Sequence, residues 1–315
     1  YIDDIYLART VGTVGSMFDL SRVEVLKGPQ GVLYGRNTTG GAIKLITTKA
    51  DASDKVSGFI TAGAGNFGAE KFGGAINLPL IEDVLAVRLS YLSDEITDGY
   101  GEITVTPLGG GAISGLYPGS ILDFATHKEK VGQKDSELAR IGISFTPIED
   151  LSIDFLYDKS DLDVNALLFN PFNAPAVGYT APANPRTDTI VNARQEASSE
   201  SELASLTVNY AINDSISSKF VWGWRDLKSS FVSDVDGTAL PLNYFLEPFV
   251  QNAEQTSIEW TLYGVAMDEK LNWMAGIYAF EEEGTDFSNS NGAASLPGGV
   301  FGGTTNGTID KNESD

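Results

Sequence analysis

From residue 56 onward the chain alternates apolar and polar positions in short runs, and this two-residue period predicts β-strands with one apolar face. Within 84–95, Leu85, Val87, Leu89 and Tyr91 share one face, and Ala86, Arg88 and Ser90 the other. Within 136–147, Ala139, Ile141, Ile143 and Phe145 oppose Arg140, Gly142 and Ser144. Within 151–161, Leu151, Ile153, Phe155 and Tyr157 oppose Ser152, Asp154 and Asp158, and Leu156 breaks the rule. Within 200–211, Leu206, Val208 and Tyr210 oppose Ser205, Thr207 and Asn209. With 56–65, 70–80, 216–228, 254–266 and 271–284, these runs predict nine strands.

The connections alternate too. Those at 81–83, 148–150, 213–214 and 267–270 are short. Those at 96–135, 162–199, 229–253 and 285–315 are long, polar and without periodicity, and 66–69 is the one brief member of the long set. Short turns on one side and long loops on the other form the pattern of an outer-membrane barrel, whereas a soluble sandwich alternates less strictly. No apolar stretch approaches the roughly 18 residues of a membrane helix. Phe145, Tyr210 and Trp273 lie beside short turns, and Tyr91, Tyr157 and Trp224 lie towards the long loops, as two interfacial girdles require.

A different signal precedes the strands. Two β-rich pieces, 23–26 and 42–47, flank a segment holding Gly28, Gly31, Gly35, Gly40 and Gly41, with Pro29 fixing its own φ. Gln30, Asn37, Thr38 and Thr39 are placed to bond that backbone. The run Lys27-Gly28-Pro29-Gln30-Gly31, then Tyr34-Gly35-Arg36 and Gly40-Gly41-Ala42-Ile43, resembles the end of the plug domain of TonB-dependent outer-membrane transporters. Lys27 stands where that family usually carries Arg, which keeps the charge and weakens a bidentate pair. Lys44 replaces the family's usual Asn.

The resemblance implies a mainly β chain. Residues 1–50 would be the C-terminal part of a small α/β plug, and 51–315 the first strands of a large antiparallel transmembrane β-barrel. Plugged transporters of this kind have about 22 strands, so nine predict an internal piece of a longer protein. The implied function is energy-coupled uptake of a scarce nutrient: a ferric siderophore or similar chelate, cobalamin or a saccharide. Its implied partners are TonB with the inner-membrane energising complex, outer-membrane lipid and lipopolysaccharide, and a small-molecule ligand bound at the outer loops. A passive porin-like channel and a surface adhesin barrel are the rival readings, and both lack a reason for the 25–47 motif.

Charge sharpens this picture. The net charge is −22, which argues against nucleic acid. Residues 1–55 hold seven Lys and Arg against six Asp and Glu, while the remainder holds 14 against 37. Within the family, basic plug residues are thought to meet carboxylates of the inner wall. Lys27 and Arg36 are candidates, and Glu259, opposite Ile258, Trp260 and Leu262 in strand period, is the candidate lumen-facing contact. The crowding of Glu281, Glu282, Glu283 and Asp286 predicts a neutral or cationic ligand, or one held by aromatics and amides.

Catalytic chemistry finds little support. There is no cysteine and one histidine, His127, so Cys-based and multi-His sites are out of reach, and neither a cofactor nor a metal site is expected. Gly63-Ala-Gly65-Asn-Phe-Gly68 matches a dinucleotide fingerprint but precedes a strand rather than a helix, so it predicts a hairpin turn. Asp234-Val-Asp236-Gly237 lacks the first and twelfth ligands of a calcium loop.

Overall fold

The computed structural model describes residues 1–13, 17–31, 37–53, 55–105, 126–165, 188–191, 195–233, 243–292 and 303–309. Two strands lie in the N-terminal segment, β1 (Leu20–Lys27) and β2 (Gly41–Thr47), paired antiparallel with Lys27 opposite Gly41. Then come β3 (Ser57–Gly65), β4 (Ala69–Ile81), β5 (Leu85–Ile96), β6 (Gly101–Val105), β7 (His127–Val131), β8 (Lys134–Ile148) and β9 (Leu151–Val164). After them follow β10 (Asp188–Val191), β11 (Glu196–Asn213), β12 (Ile216–Val232), β13 (Asn243–Ala266), β14 (Leu271–Gly292) and β15 (Gly303–Ile309).

Ten of these strands form one sheet in the order β15-β14-β13-β12-β11-β9-β8-β5-β4-β3. All its pairs are antiparallel. Registers such as Arg88↔Gly142, Gly142↔Leu156, Leu156↔Ser205 and Ser205↔Gly223 carry one face across the strands. Because side chains alternate, these residues line the inner face, while Leu89, Ile141, Tyr157 and Trp224 line the outer face. Among the described residues no helix is long and apolar enough to cross a membrane, which leaves spanning strands untouched. The named elements are strands and one 3₁₀ turn, Asn66–Gly68; of the helical part expected in the N-terminal segment, Gly31 is described, with helical backbone.

The nine expected strands are present, and three expectations change. A tenth strand, β15, occupies part of the 285–315 stretch expected to be a structureless loop. The strands overrun their expected ends, β13 to 24 and β14 to 22 residues, because hydrogen-bonded pairing continues where apolar periodicity stops. The connections 96–135 and 162–199 hold a second sheet, β10-β6-β7, with β10 parallel to β6. Its Ile103, Val105, Val131 and Val191 are at most 1% exposed and form their own core. Strands of four or five residues are too short to declare a period, and their partners are distant in sequence.

The short turns fall as expected, with Asp83, Met267, Asp268 and Glu269 in the left-handed region. The 63–68 glycine motif is the β3–β4 hairpin turn, and Phe67 there has φ 65°.

Candidate functional site

The described part of residues 1–53 lies against the inner face of the large sheet, touching it from β4 to β14. Three groups of polar contacts hold them. The first centres on Asp19, which accepts from Arg88 Nε at 2.7 Å and Nη2 at 2.6 Å, and from Ser90 Oγ. The Asp19 and Arg88 side chains are 3% and 12% exposed. Beside them Arg140 donates to Asp158 at 2.8 and 2.5 Å and to the Phe18 carbonyl at 2.7 Å. Asn77, 2% exposed, exchanges two 2.9 Å bonds with the backbone of Asp51.

The second group seats residues 6–11. Arg9 donates to Glu282 at 2.9 Å and to Asp286 at 2.5 Å. Arg225 on β12, 3% exposed, donates to the carbonyls of Arg9 at 2.6 Å and Val11 at 2.5 Å. Gln255 on β13 accepts from the Ala8 amide at 3.2 Å and donates to the Tyr6 carbonyl at 2.5 Å. Desolvation opposes the Arg9 charge, but its bonds to Glu282 and Asp286 outweigh this and raise its pKa.

The third group lies towards the short turns. Asp4 bridges Lys44 of β2 and Lys219 of β12, each at 2.6 Å, and Lys49 donates to Asp154 of β9 at 2.6 Å. Burial pushes the Asp4 and Asp19 carboxyls up. The Lys219 and Lys44 bonds for Asp4, and the Arg88 and Ser90 bonds for Asp19, more than offset this, so both end below the usual value. At Asp3 burial wins over two bonds from Thr47, and its pKa is raised.

Apolar packing completes the contact. Ile2, Ile5, Leu7 and Leu45 cluster with Leu156, Leu203 and Val221 of the wall. This accounts for Leu156, the residue that breaks the period of β9. It faces inward where the N-terminal segment presents apolar surface, so hydrocarbon there meets hydrocarbon. Ile5 sits over Gly223, where an added Cβ would come within 2.5 Å of its Cδ1.

The described ends of the glycine motif, 28–31 and 37–41, are bonded to each other beside β1 and β2. Gly28 (φ 84°) donates to the Gly40 carbonyl at 3.2 Å, and the Gln30 amide to the Thr38 carbonyl at 2.9 Å. Gly41 (φ 143°) passes so close to the Leu26 carbonyl that a Cβ would collide with it. Asn37 donates to the Tyr6 hydroxyl at 2.5 Å, tying the turn to residues 1–7. Pro29 and Gly31 are exposed. Tyr34, Gly35 and Arg36 lie outside the described residues.

Lys27 and Glu259 are not brought together. Lys27 is exposed at the end of β1. Glu259 does face inward but accepts from its own strand neighbour Thr261 at 3.0 Å. The charged contacts fall instead on Arg9, Asp19, Asp4 and Lys49, and in two of them the wall supplies the cation. The acidic cluster also divides, because neighbours on a strand point to opposite faces. Glu282 and Asp286 turn inward to Arg9, while Glu281 and Glu283 turn outward, so the cluster is not a free acidic rim.

On the outer face the upper aromatics share one geometry. Tyr91 donates to Glu137 at 3.1 Å, Tyr157 to Glu202 at 2.7 Å and Trp224 to Glu254 at 2.8 Å, each carboxylate on the next strand of the sheet. An apolar ring with a polar tip aimed at a carboxylate suits a membrane–water boundary. His127 lies in the small sheet, 2.6 Å from Glu129, away from the N-terminal segment. Among the described residues no group of three or more His, Cys, Asp or Glu could hold a metal. The loop 234–237 lies outside the described residues.

The chain is similar to known proteins in sequence and fold. The family model described as TonB-dependent Receptor Plug Domain matches residues 1–42. The chain is 25% identical over 149 residues to the pesticin receptors of Yersinia enterocolitica and Yersinia pestis, a stretch covering 47% of this chain and 18% of each relative. It therefore spans well under half the length of these relatives. The fold matches the ferric yersiniabactin uptake receptor FyuA from Yersinia pestis with a TM-score of 0.63 at 15% identity, covering 87% of this chain and 38% of that one. It matches the ferripyoverdine receptor of Pseudomonas aeruginosa, also with a TM-score of 0.63 at 15% identity, covering 92% and 36%. The siderophore receptor PiuA from Acinetobacter baumannii gives 0.63 at 13%, covering 87% and 36%. Residues 1–42 match the plug of TonB-dependent receptors, and the chain shares the fold of these solved uptake receptors.

Proposed function

We propose that the protein takes up a ferric siderophore or similar metal chelate across the outer membrane, driven through TonB. Residues 1–50 form the end of the plug, and 51–315 form barrel wall and outer loops. The observation that supports this reading is the plug itself. A passive pore gains nothing from a segment fastened across its lumen by buried charges, and an adhesin barrel needs no removable stopper. The bonds of Gly28 to Gly40 and of Gln30 to Thr38 keep β1 and β2 in register, and Glu259 lines the lumen. Two of the structural neighbours are named as receptors for ferric yersiniabactin and ferripyoverdine, which supports the same class. No enzymatic role is proposed.

The expectation of a neutral or cationic ligand rests on a smaller cluster, because Glu282 and Asp286 are engaged by Arg9. An anionic ferric chelate is therefore included. The test is a panel of iron-55 siderophores, cobalamin and maltooligosaccharides offered to cells carrying the full-length receptor. Binding is expected with or without TonB, and accumulation only with it. Accumulation that ignores TonB would return the protein to the passive channels.

A further inference from the structure

The outer face carries a recess where β3, β4 and β5 meet. Gly74 of β4 stands directly between Ile60 of β3 and Tyr91 of β5. Along its own strand Phe72 and Ile76 flank it on the same face. Because Gly74 has no side chain, a cavity of about 310 Å³ opens above it, walled by these four side chains and Leu89. Ile60 is 79% exposed and Phe72 55%, so the rim projects from the wall. Towards the long loops the same face turns acidic. Glu70 of β4 lies directly opposite Glu95 of β5, and Glu95 directly opposite Asp135 of β8. Like charges set opposite one another in a sheet destabilise it. The nearby lysines do not relieve this, because Lys71 and Lys134 turn to the inner face and meet Asp94 at 3.6 and 2.9 Å. Among the described residues no cation pairs with Glu70, Glu95 or Asp135.

We propose that this face holds a lipid whose headgroup carries a primary ammonium, with one acyl chain in the recess over Gly74 and the ammonium at Glu70, Glu95 and Asp135. The inference rests on the wall spanning a membrane, and it is independent of what the receptor imports. Position names the occupant. Tyr91 belongs to the aromatic row of the membrane–water boundary, so hydrocarbon lies on its Gly74 side and headgroups lie on its loop side. An acyl chain fills the recess and makes the dispersion contacts that a void forfeits. An ammonium relieves the facing carboxylates, whereas a purely anionic headgroup adds to their repulsion. Glu70 stands four residues from Gly74, about 13 Å along the strand. That span leaves room for the polar linkage between head and chain, beside Ser93, which pairs with Phe72 between the two levels. A second copy of the chain is a poorer occupant, because it would bring a second acidic row against the first.

The full-length receptor, stripped of lipid in dodecyl maltoside, is titrated with phosphatidylethanolamine or phosphatidylglycerol of identical chains, and bound lipid is counted by native mass spectrometry. One phosphatidylethanolamine is expected to be retained about tenfold better than phosphatidylglycerol, the effect of one or two partly exposed ion pairs. A Cβ at Gly74 would come within 2.6 Å of the Phe59 carbonyl, so the recess is filled from its rim instead. Ile60→Trp is expected to abolish this retention, and Val208→Trp, on the outer face of β11, to leave it unchanged. Glu70→Gln with Glu95→Gln lowers phosphatidylethanolamine to the phosphatidylglycerol level. Heat-modifiable migration confirms assembly of each variant. Equal retention of the two lipids by the unaltered receptor, or retention undiminished by Ile60→Trp, would overturn the site. So would lipid-free dimers that Ile60→Trp disperses. A receptor that stays soluble and folded without detergent would overturn the membrane reading itself, whereas failure of TonB-dependent accumulation would overturn only the uptake reading.

Discussion

Arg9 of the plug and Glu282 of β14 meet at 2.9 Å across 273 residues of sequence, with both side chains 15% exposed. Asp286 and, through the Arg9 carbonyl, Arg225 extend the contact. Two cations and two carboxylates thus fasten the end of the first plug segment to β12 and β14.

Removing one partner of a buried pair strands the other. Asp19→Ala leaves Arg88 unpaired and is expected to weaken plug docking by about 3–5 kcal/mol. A double-mutant cycle on Asp19 and Arg88 should show coupling of about 1–3 kcal/mol, and the same cycle on Lys27 and Glu259 less than about 0.5 kcal/mol. Hydrogen exchange of residues 1–53 in the full-length receptor reports both. Strong coupling between Lys27 and Glu259 would contradict the contact pattern found here.

Plug docking should respond to acid late. Asp4 and Asp19 have folded pKa values below the ordinary 3.8, so their contribution is complete above that value and is lost as pH falls through the lower folded values. Asp3 works in the opposite sense. Its raised pKa makes its buried charge a cost at neutral pH that acid relieves first. Protease protection of the plug should hold from pH 7 to about 5 and collapse only below about 4. Loosening between pH 7 and 5 would mean that other groups govern docking.

The small sheet should behave as an independent unit. Ile103→Ala or Val131→Ala opens a cavity in a core of four side chains and should cost that sheet about 2–4 kcal/mol. Limited proteolysis should then cut near β6 and β7 while the heat-modifiable mobility of the barrel is unchanged. Loss of barrel assembly would show that the two sheets fold as one.

Orientation and depth can be read with single cysteines, since the chain has none. Lys128→Cys should label on intact cells with an impermeant maleimide, whereas Asp214→Cys and Asp268→Cys should label only after the outer membrane is opened. Leu89→Arg, on the outer face next to the upper girdle, should impair insertion by up to about 2–4 kcal/mol, depending on depth. Surface labelling of Asp214→Cys would invert the topology.

Local physics wrote much of this fold into the sequence. Strand period needs only the contrast between neighbours, so Leu85 to Tyr91 and Ala139 to Phe145 announced their faces directly. The Gly28 and Gly41 turn was legible because few residues other than glycine adopt its backbone. Which charges meet was not legible, because Arg9–Glu282 and Asp19–Arg88 depend on how a separate segment seats against a curved wall. Leu156 shows the same limit: its exception to the pattern acquired meaning only when Ile5 and Leu7 were placed against it. The short strands of the small sheet were hidden because their stabilisation is wholly non-local. Periodicity is a property of neighbours in the chain, and it determined the wall. Docking is a property of neighbours in space, and only the tertiary structure decided which side chains hold the plug.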